Sequence, residues 1–199
     1  MKRLFSVAAI VMSVALSAQA QTQADKDRAF KYLESTKQGV LDATAGLSEA
    51  QWKFKSAPER WSVAEVMEHI AAAEDMLRNM VVNTVLQAPA RPEGDDVKAQ
   101  DDQILAMIPD RSHKAQAPEP LKPTNRFGSP QSSLKHFLEA RQKTEDLLKE
   151  HEDLRGHATD GPFGKKQDAY QWLLFIGAHS ERHTKQILEV KADPNFPKK

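Results

Sequence analysis

His179 and His183 stand four residues apart in the apolar stripe of a helical segment over residues 168–191, and His69 stands on a second strongly helical segment over 62–87. At about 100° per residue, Ala169, Trp172, Ile176, His179, His183, Ile187 and Val190 share one side of a helix. The two imidazoles thus occupy places where a core would take leucine. Rings at i and i+4 point the same way, and a third from a facing helix would complete a three-nitrogen pocket for one ion. Ligand bonds of about 2.0 to 2.1 Å would leave a fourth position open. Such a centre can lower the pKa of a water toward about 7, activate a thiol, or polarise a carbonyl as a Lewis acid. The spacing is not that of the zinc proteases, which need Glu directly after the first histidine. Here Ser180 follows His179, and Glu181 projects away from the pair.

The competing account of the pair is two core histidines satisfied by neighbours. Each buried imidazole left unpaired costs roughly 1 to 3 kcal/mol, and one ion relieves both. His113, His136, His151 and His157 lie in polar or loop-like stretches and read as solvated or local capping residues. Glu65, one turn before His69, is the candidate general base or orienting carboxylate, set against a plain role in the helix cap. Arg141 falls inside an apolar stripe between Leu138 and Leu148. It could anchor an anionic substrate, or pair with Glu145 one turn on. Gln186 could bond a ligand or face solvent, and Trp61 and Trp172 read as core anchors.

Four amphipathic segments must carry these groups. The first runs from about Ala24 to Ala45 on Phe30, Leu33, Lys37, Val40, Leu41 and Thr44. Residues 47–61 lack a period and read as a connection bearing Trp52, Phe54 and Trp61. Ser62 and Glu65 form a capping box for the second helix, whose face is Val63, Val66, Met67, Ile70, Ala73, Leu77, Met80 and Val81. Residues 88–129 are rich in Pro, Gly and charge, with a short helix over 97–108, and are expected to wrap the bundle or line its open end. Ser129-Pro130 starts the third helix, which runs to Glu150. Asp168 with Gln171 caps the fourth, and Pro194 bars its extension. No convincing strand appears. The pattern predicts an all-α four-helix bundle with a long crossover connection between helices 2 and 3.

Composition narrows the function. Lys and Arg number 28 against 28 Asp and Glu, interleaved along helix faces, which argues against nucleic acid as a partner. The absence of cysteine removes disulfides, thiolate nucleophiles and Cys-ligated zinc. Lys2 and Arg3, an apolar run from Leu4 to Leu16, and Ala18-Gln19-Ala20 read as a secretory signal peptide over residues 1–20, cleaved after Ala20. The run is too short to span a bilayer comfortably. The expected location is secreted or periplasmic, with no membrane anchor after cleavage, and residues 21–199 form one domain.

Three stretches carry a family resemblance: Leu47-Ser-Glu-Ala-Gln-Trp52, Arg60-Trp-Ser-Val-Ala-Glu-Val-Met-Glu-His69, and Gln171 to Val190 with its H-x-x-x-H pair. In these the chain resembles the DinB-like (DinB/YfiT-like) superfamily of metalloenzymes. The resemblance implies a four-helix bundle in which His69, His179 and His183 hold a divalent ion, zinc first and nickel second. It also implies a metal-dependent hydrolase or a thiol S-transferase acting on a small molecule. The family name reflects DNA-damage-induced expression and implies no DNA binding. An export signal sets this chain apart from the cytosolic thiol-using members, since it would have to meet its thiol outside the reducing cytosol. A non-catalytic metal-binding or stress-related bundle is the alternative reading and a metal-free helical interaction module the third; a bundle of this sort could be a homodimer, though residue types do not fix the assembly.

Overall fold

The computed structural model describes residues 21–198; the expected signal peptide over residues 1–20 lies outside the described residues. Four long helices carry the fold: α1 Gln23–Thr44, α3 Val63–Asn83, α5 Pro130–Glu150 and α6 Ala169–Lys191. A short α2 Glu49–Lys53 joins α1 to α3, and α4 Val97–Met107 lies in the crossover between α3 and α5. Strands β1 Ala158–Asp160 and β2 Lys166–Asp168 form an antiparallel hairpin that leads into α6.

The helix starts are written locally. Thr22, Ser48, Ser62 and Asp168 each accept the N3 backbone N–H while the N3 side chain returns to the cap, so α1, α2, α3 and α6 all begin in capping boxes. Ser129 caps α5 through Ser132, with Pro130 in the first turn. Two elements depart from expectation. Residues 47–61 contain α2, which is too short to show a hydrophobic period but carries the Ser48/Gln51 box. The three-residue strands are equally too short for alternation, and Gly164 at φ +70° makes the turn between them. The second long helix stops at Asn83 rather than Gln87, and Val85–Gln87 tightens into a 3₁₀ turn.

Around the bundle the long helices follow the order α1, α6, α3, α5, so α3 and α6, which bear the three histidines, are neighbours. Two apolar clusters fill the interior, one around Leu33, Leu77, Leu148 and Ile176, the other around Val40, Ile70, Phe137 and Ile187. Between them lies a polar layer to which every long helix contributes. Arg141 of α5 is fully buried and its guanidinium grips Glu74 of α3 through two bonds of 2.8 Å. Its remaining donors reach the Leu33 carbonyl, Thr36 of α1 and Ser180 of α6. Thr144 adds a third bond to the Glu74 carboxylate. Close approach of α1 to α6 depends on Gly177, where a Cβ would fall 2.9 Å from the Tyr32 ring.

The crossover is bound down by charge as much as by burial. Arg91 reaches Asp168, Gln171 and Gln100, and Arg155 pairs with Asp101 of α4 and with Asp168. Farther along, Arg182 of α6 donates to the carbonyls of Ile108, Asp110 and His113. Arg111 forms a two-bond ion pair with Glu189 of α6. The long connection therefore wraps the α6 side of the bundle as a fitted layer.

Candidate metal centre

Helical spacing puts His179 and His183 on one face of α6, and the ring order of the bundle puts α3 opposite them. The result is a convergence of three imidazoles. Nε2 of His69 lies 3.3 Å from Nε2 of His179 and 3.1 Å from Nε2 of His183. One ligand atom from each of the three residues falls within 4.8 Å of the others, and among the described residues no carboxylate joins the group.

Hydrogen bonds on the far side of two rings decide what faces inward. Nδ1 of His69 lies 2.9 Å from the Leu121 carbonyl in the crossover, and a carbonyl can only accept, so Nδ1 carries the proton. Nδ1 of His183 likewise meets the Gln186 side-chain oxygen at 2.7 Å. Both rings thus turn an Nε2 lone pair into the cluster. Two lone pairs 3.1 Å apart repel one another unless a cation lies between them.

All three rings are held neutral. Burial, and then the repulsion that protonated His183 or His69 would exert, drives His179 well below the ordinary histidine value. Burial, then the repulsion that a protonated His69 would exert, brings His183 down to about 3. Burial also lowers His69, against its bond to Leu121. A metal ligand must be unprotonated, so these rings are already in the binding state near neutral pH. The donor set also fits by size. Four ligands at about 2.0 to 2.1 Å in a tetrahedron stand about 3.3 to 3.4 Å apart, close to the two separations observed.

Aromatic rings flank the donors. Trp61 packs against His69 with centroids 5.0 Å apart, and Phe175 stacks on His179 at 6.3 Å. Trp61 is half-buried and forms part of the wall beside the site, whereas Trp172 is buried as expected of a core anchor.

The other expected site residues are placed elsewhere. One Glu65 carboxylate oxygen takes the Ser62 N–H at 2.7 Å and the other takes Lys55 at 2.7 Å, so both oxygens serve the start of α3. Arg141 has all five N–H groups engaged inside the polar layer and none free for a substrate. Its partner is Glu74, not Glu145, which bonds Lys37 of α1. Gln186 is partly exposed, and its side-chain oxygen meets Nδ1 of His183 and so orients that ring. His136 pairs with Asp75 and stacks on Phe127, and His157 donates to the Ala88 carbonyl at 2.6 Å.

Two participants were not expected from the sequence: the Leu121 carbonyl and Glu68. The first is backbone and leaves no mark in residue type. The second is a carboxylate directly before His69, a position that in a helix pattern looks like ordinary surface charge. Glu68 is buried, which opposes its ionisation, yet bonds from the backbone of Thr124, Arg126 and Asn125 and from the Arg126 side chain hold it below the usual carboxylate range.

Comparisons with known proteins give the family and the fold. The chain is 29% identical to the protein YuaE of Bacillus subtilis (strain 168) over 148 residues, covering 73% of this chain and 86% of that one. Its fold is similar to that of YfiT from Bacillus subtilis, described as a probable metal-dependent hydrolase with an unusual four-helix bundle topology. That match has a TM-score of 0.53 and 16% identity, and covers 87% of this chain and 89% of the other. The model of the DinB superfamily matches residues 32–187, and the chain belongs to that superfamily.

Proposed function

We propose that this protein is a metal-dependent hydrolase in which His69, His179 and His183 hold one divalent ion, zinc first and nickel second. The observation that carries the reading is the pair of Nε2 to Nε2 approaches of 3.1 and 3.3 Å between rings whose Nδ1 atoms are engaged outward on His69 and His183. Three protein ligands, with no fourth among the described residues, is the pattern of catalytic sites, which keep a position for water or substrate, whereas structural sites close with four. The description of YfiT as a probable metal-dependent hydrolase supports the same class.

When bound, the ion supplies Lewis-acid polarisation of a substrate oxygen and a lowered pKa for a water at the open position. The chain's own residues do the rest. Leu121 and Gln186 fix the orientation of two of the rings, while Trp61 and Phe175 exclude water from one side. The same centre would serve thiol transfer, by holding a small thiol as its thiolate. Hydrolysis ranks first because the signal-peptide pattern of residues 1–20 reads as an export signal, and an exported protein would work away from the cytosolic thiol pool, with water still at hand as nucleophile.

The test is elemental analysis of the purified mature protein, followed by a screen for ester hydrolysis and thiol transfer. About one zinc or nickel per chain is expected, falling toward zero in His179→Ala and in His183→Ala, because two imidazoles hold an ion poorly. Unchanged metal content in both variants would remove the assignment. Full metal with no turnover of any ester or thiol acceptor would favour a non-catalytic bundle.

A further inference from the structure

Glu68 and His69 are consecutive on α3, and both bind the same piece of the crossover. The backbone N–H groups of Thr124, Asn125 and Arg126 converge on the Glu68 carboxylate at 2.7, 2.8 and 3.1 Å. Three successive amides can meet one carboxylate because Asn125 takes the left-handed conformation at φ 61°. The Arg126 side chain also bonds Glu68, at 3.1 Å through Nε, and its two terminal nitrogens reach the carbonyls of Pro120 and Lys122 at 2.9 and 2.7 Å. Those carbonyls flank Leu121. The Leu121 carbonyl between them is the one that takes the His69 Nδ1 proton.

We propose that Glu68 and Arg126 are positioning residues for the metal centre, clamping the turn at residues 120–126 so that Leu121 selects the His69 tautomer whose Nε2 faces His179 and His183. The functional meaning of this clamp rests on the three-histidine reading above; the clamp itself does not. Without it, the Pro120 and Lys122 carbonyls lose their donors and the turn is free to carry the Leu121 carbonyl away from the ring. His69 would then have no buried acceptor to fix which nitrogen bears the proton. A ring with the proton on Nε2 offers its lone pair to the wrong side. Coupling runs in both directions, so an ion on His69 should also steady the turn.

The experiment compares wild type with Glu68→Ala, Glu68→Gln and Arg126→Ala, each first checked by circular dichroism. Nitrogen-15 spectra of the histidine side chains in metal-free protein report the His69 tautomer, and competition with a chromophoric chelator reports Zn²⁺ affinity. Wild type should show a single Nδ1–H form of His69. Both alanine variants should show mixed tautomers and bind zinc about 10- to 100-fold more weakly, the range for loss of a group that orients a ligand. Glu68→Gln, which keeps an oxygen for the three amides, should recover part of both signals. A single Nδ1–H tautomer in both alanine variants, or zinc affinities within twofold of wild type, would overturn the proposal. Arg126 has a side chain only 29% exposed but lies at the surface end of the clamp, so it carries the test if Glu68→Ala fails to fold. Should wild type bind no zinc, the metal reading fails while the tautomer spectra still decide the clamp.

Discussion

Metal affinity in this protein should be nearly independent of pH between 7.5 and 5.5, against the behaviour of ordinary histidine ligands. An imidazole with the unperturbed pKa of about 6.5 loses about tenfold of its availability over that interval, and three of them together about a thousandfold. Here burial brings His183 down to about 3 and pushes His69 and His179 below their ordinary value as well. Neutral rings have no proton to release, so the zinc dissociation constant should change by less than about tenfold across those two pH units. Calorimetry in two buffers of different ionisation enthalpy should count close to zero protons released at pH 6, where unperturbed ligands would release about two. The same shifts set the stability of the metal-free protein. Folded values below the unfolded one mean that the unfolded chain takes up protons first, so this stability is present above pH 6.5 and is lost as pH falls toward 3. His183 alone accounts for about 1.3 kcal/mol between pH 7.5 and 5.5, or roughly 3 to 5 °C in melting temperature. A thousandfold loss of zinc affinity, or two protons released at pH 6, would refute both the neutrality of the cluster and its pre-formed geometry.

Two further substitutions separate structural from functional roles. Arg141→Met should cost about 3 to 5 kcal/mol by leaving Glu74 charged and buried, seen as a fall of about 6 to 20 °C in melting temperature with zinc stoichiometry unchanged; adding Glu74→Leu should recover most of it. A raised KM at unaltered stability would instead make Arg141 a substrate anchor. Glu65→Ala should cost about 0.5 to 2 kcal/mol in urea unfolding through loss of the capping box and leave zinc affinity within twofold. A hundredfold fall in kcat with the fold intact would restore Glu65 as a general base.

The long helices were legible because each has both a period and a start signal. Ser62 with Glu65 and Asp168 with Gln171 mark α3 and α6 to the residue. The α6 stripe holds His179 and His183 in register because four residues is nearly one turn. What residue types do not encode is which other helix stands opposite. His69 read as a margin residue of the α3 face, yet it is almost fully buried, since the crossover covers that margin and supplies Leu121. Arg141 read as an oddity in an apolar stripe. Its pairing with Glu74 links residues 67 apart, beyond the reach of any local pattern. The short α2 and the β1–β2 hairpin escaped because five and three residues are too few to display a period.

The placement of these partners explains why a bundle of this kind needs its long connection. Packing α3 beside α6 brings three imidazoles together, but packing alone does not determine which nitrogen of each ring points inward, because the two tautomers have almost the same shape. That choice requires an acceptor behind the ring. For His183 the acceptor is local, since Gln186 lies one turn on along the same helix. Helix α3 supplies no such group for His69: of the residues a turn away, Val66, Ala72 and Ala73 are apolar core, and Glu65 is taken up by the Ser62 N–H and Lys55. The acceptor must come from outside the four helices, and the crossover brings it as the Leu121 carbonyl on a turn that Glu68 and Arg126 hold in place. A shorter link between α3 and α5 could close the bundle equally well, yet it would leave His69 free to present the wrong nitrogen.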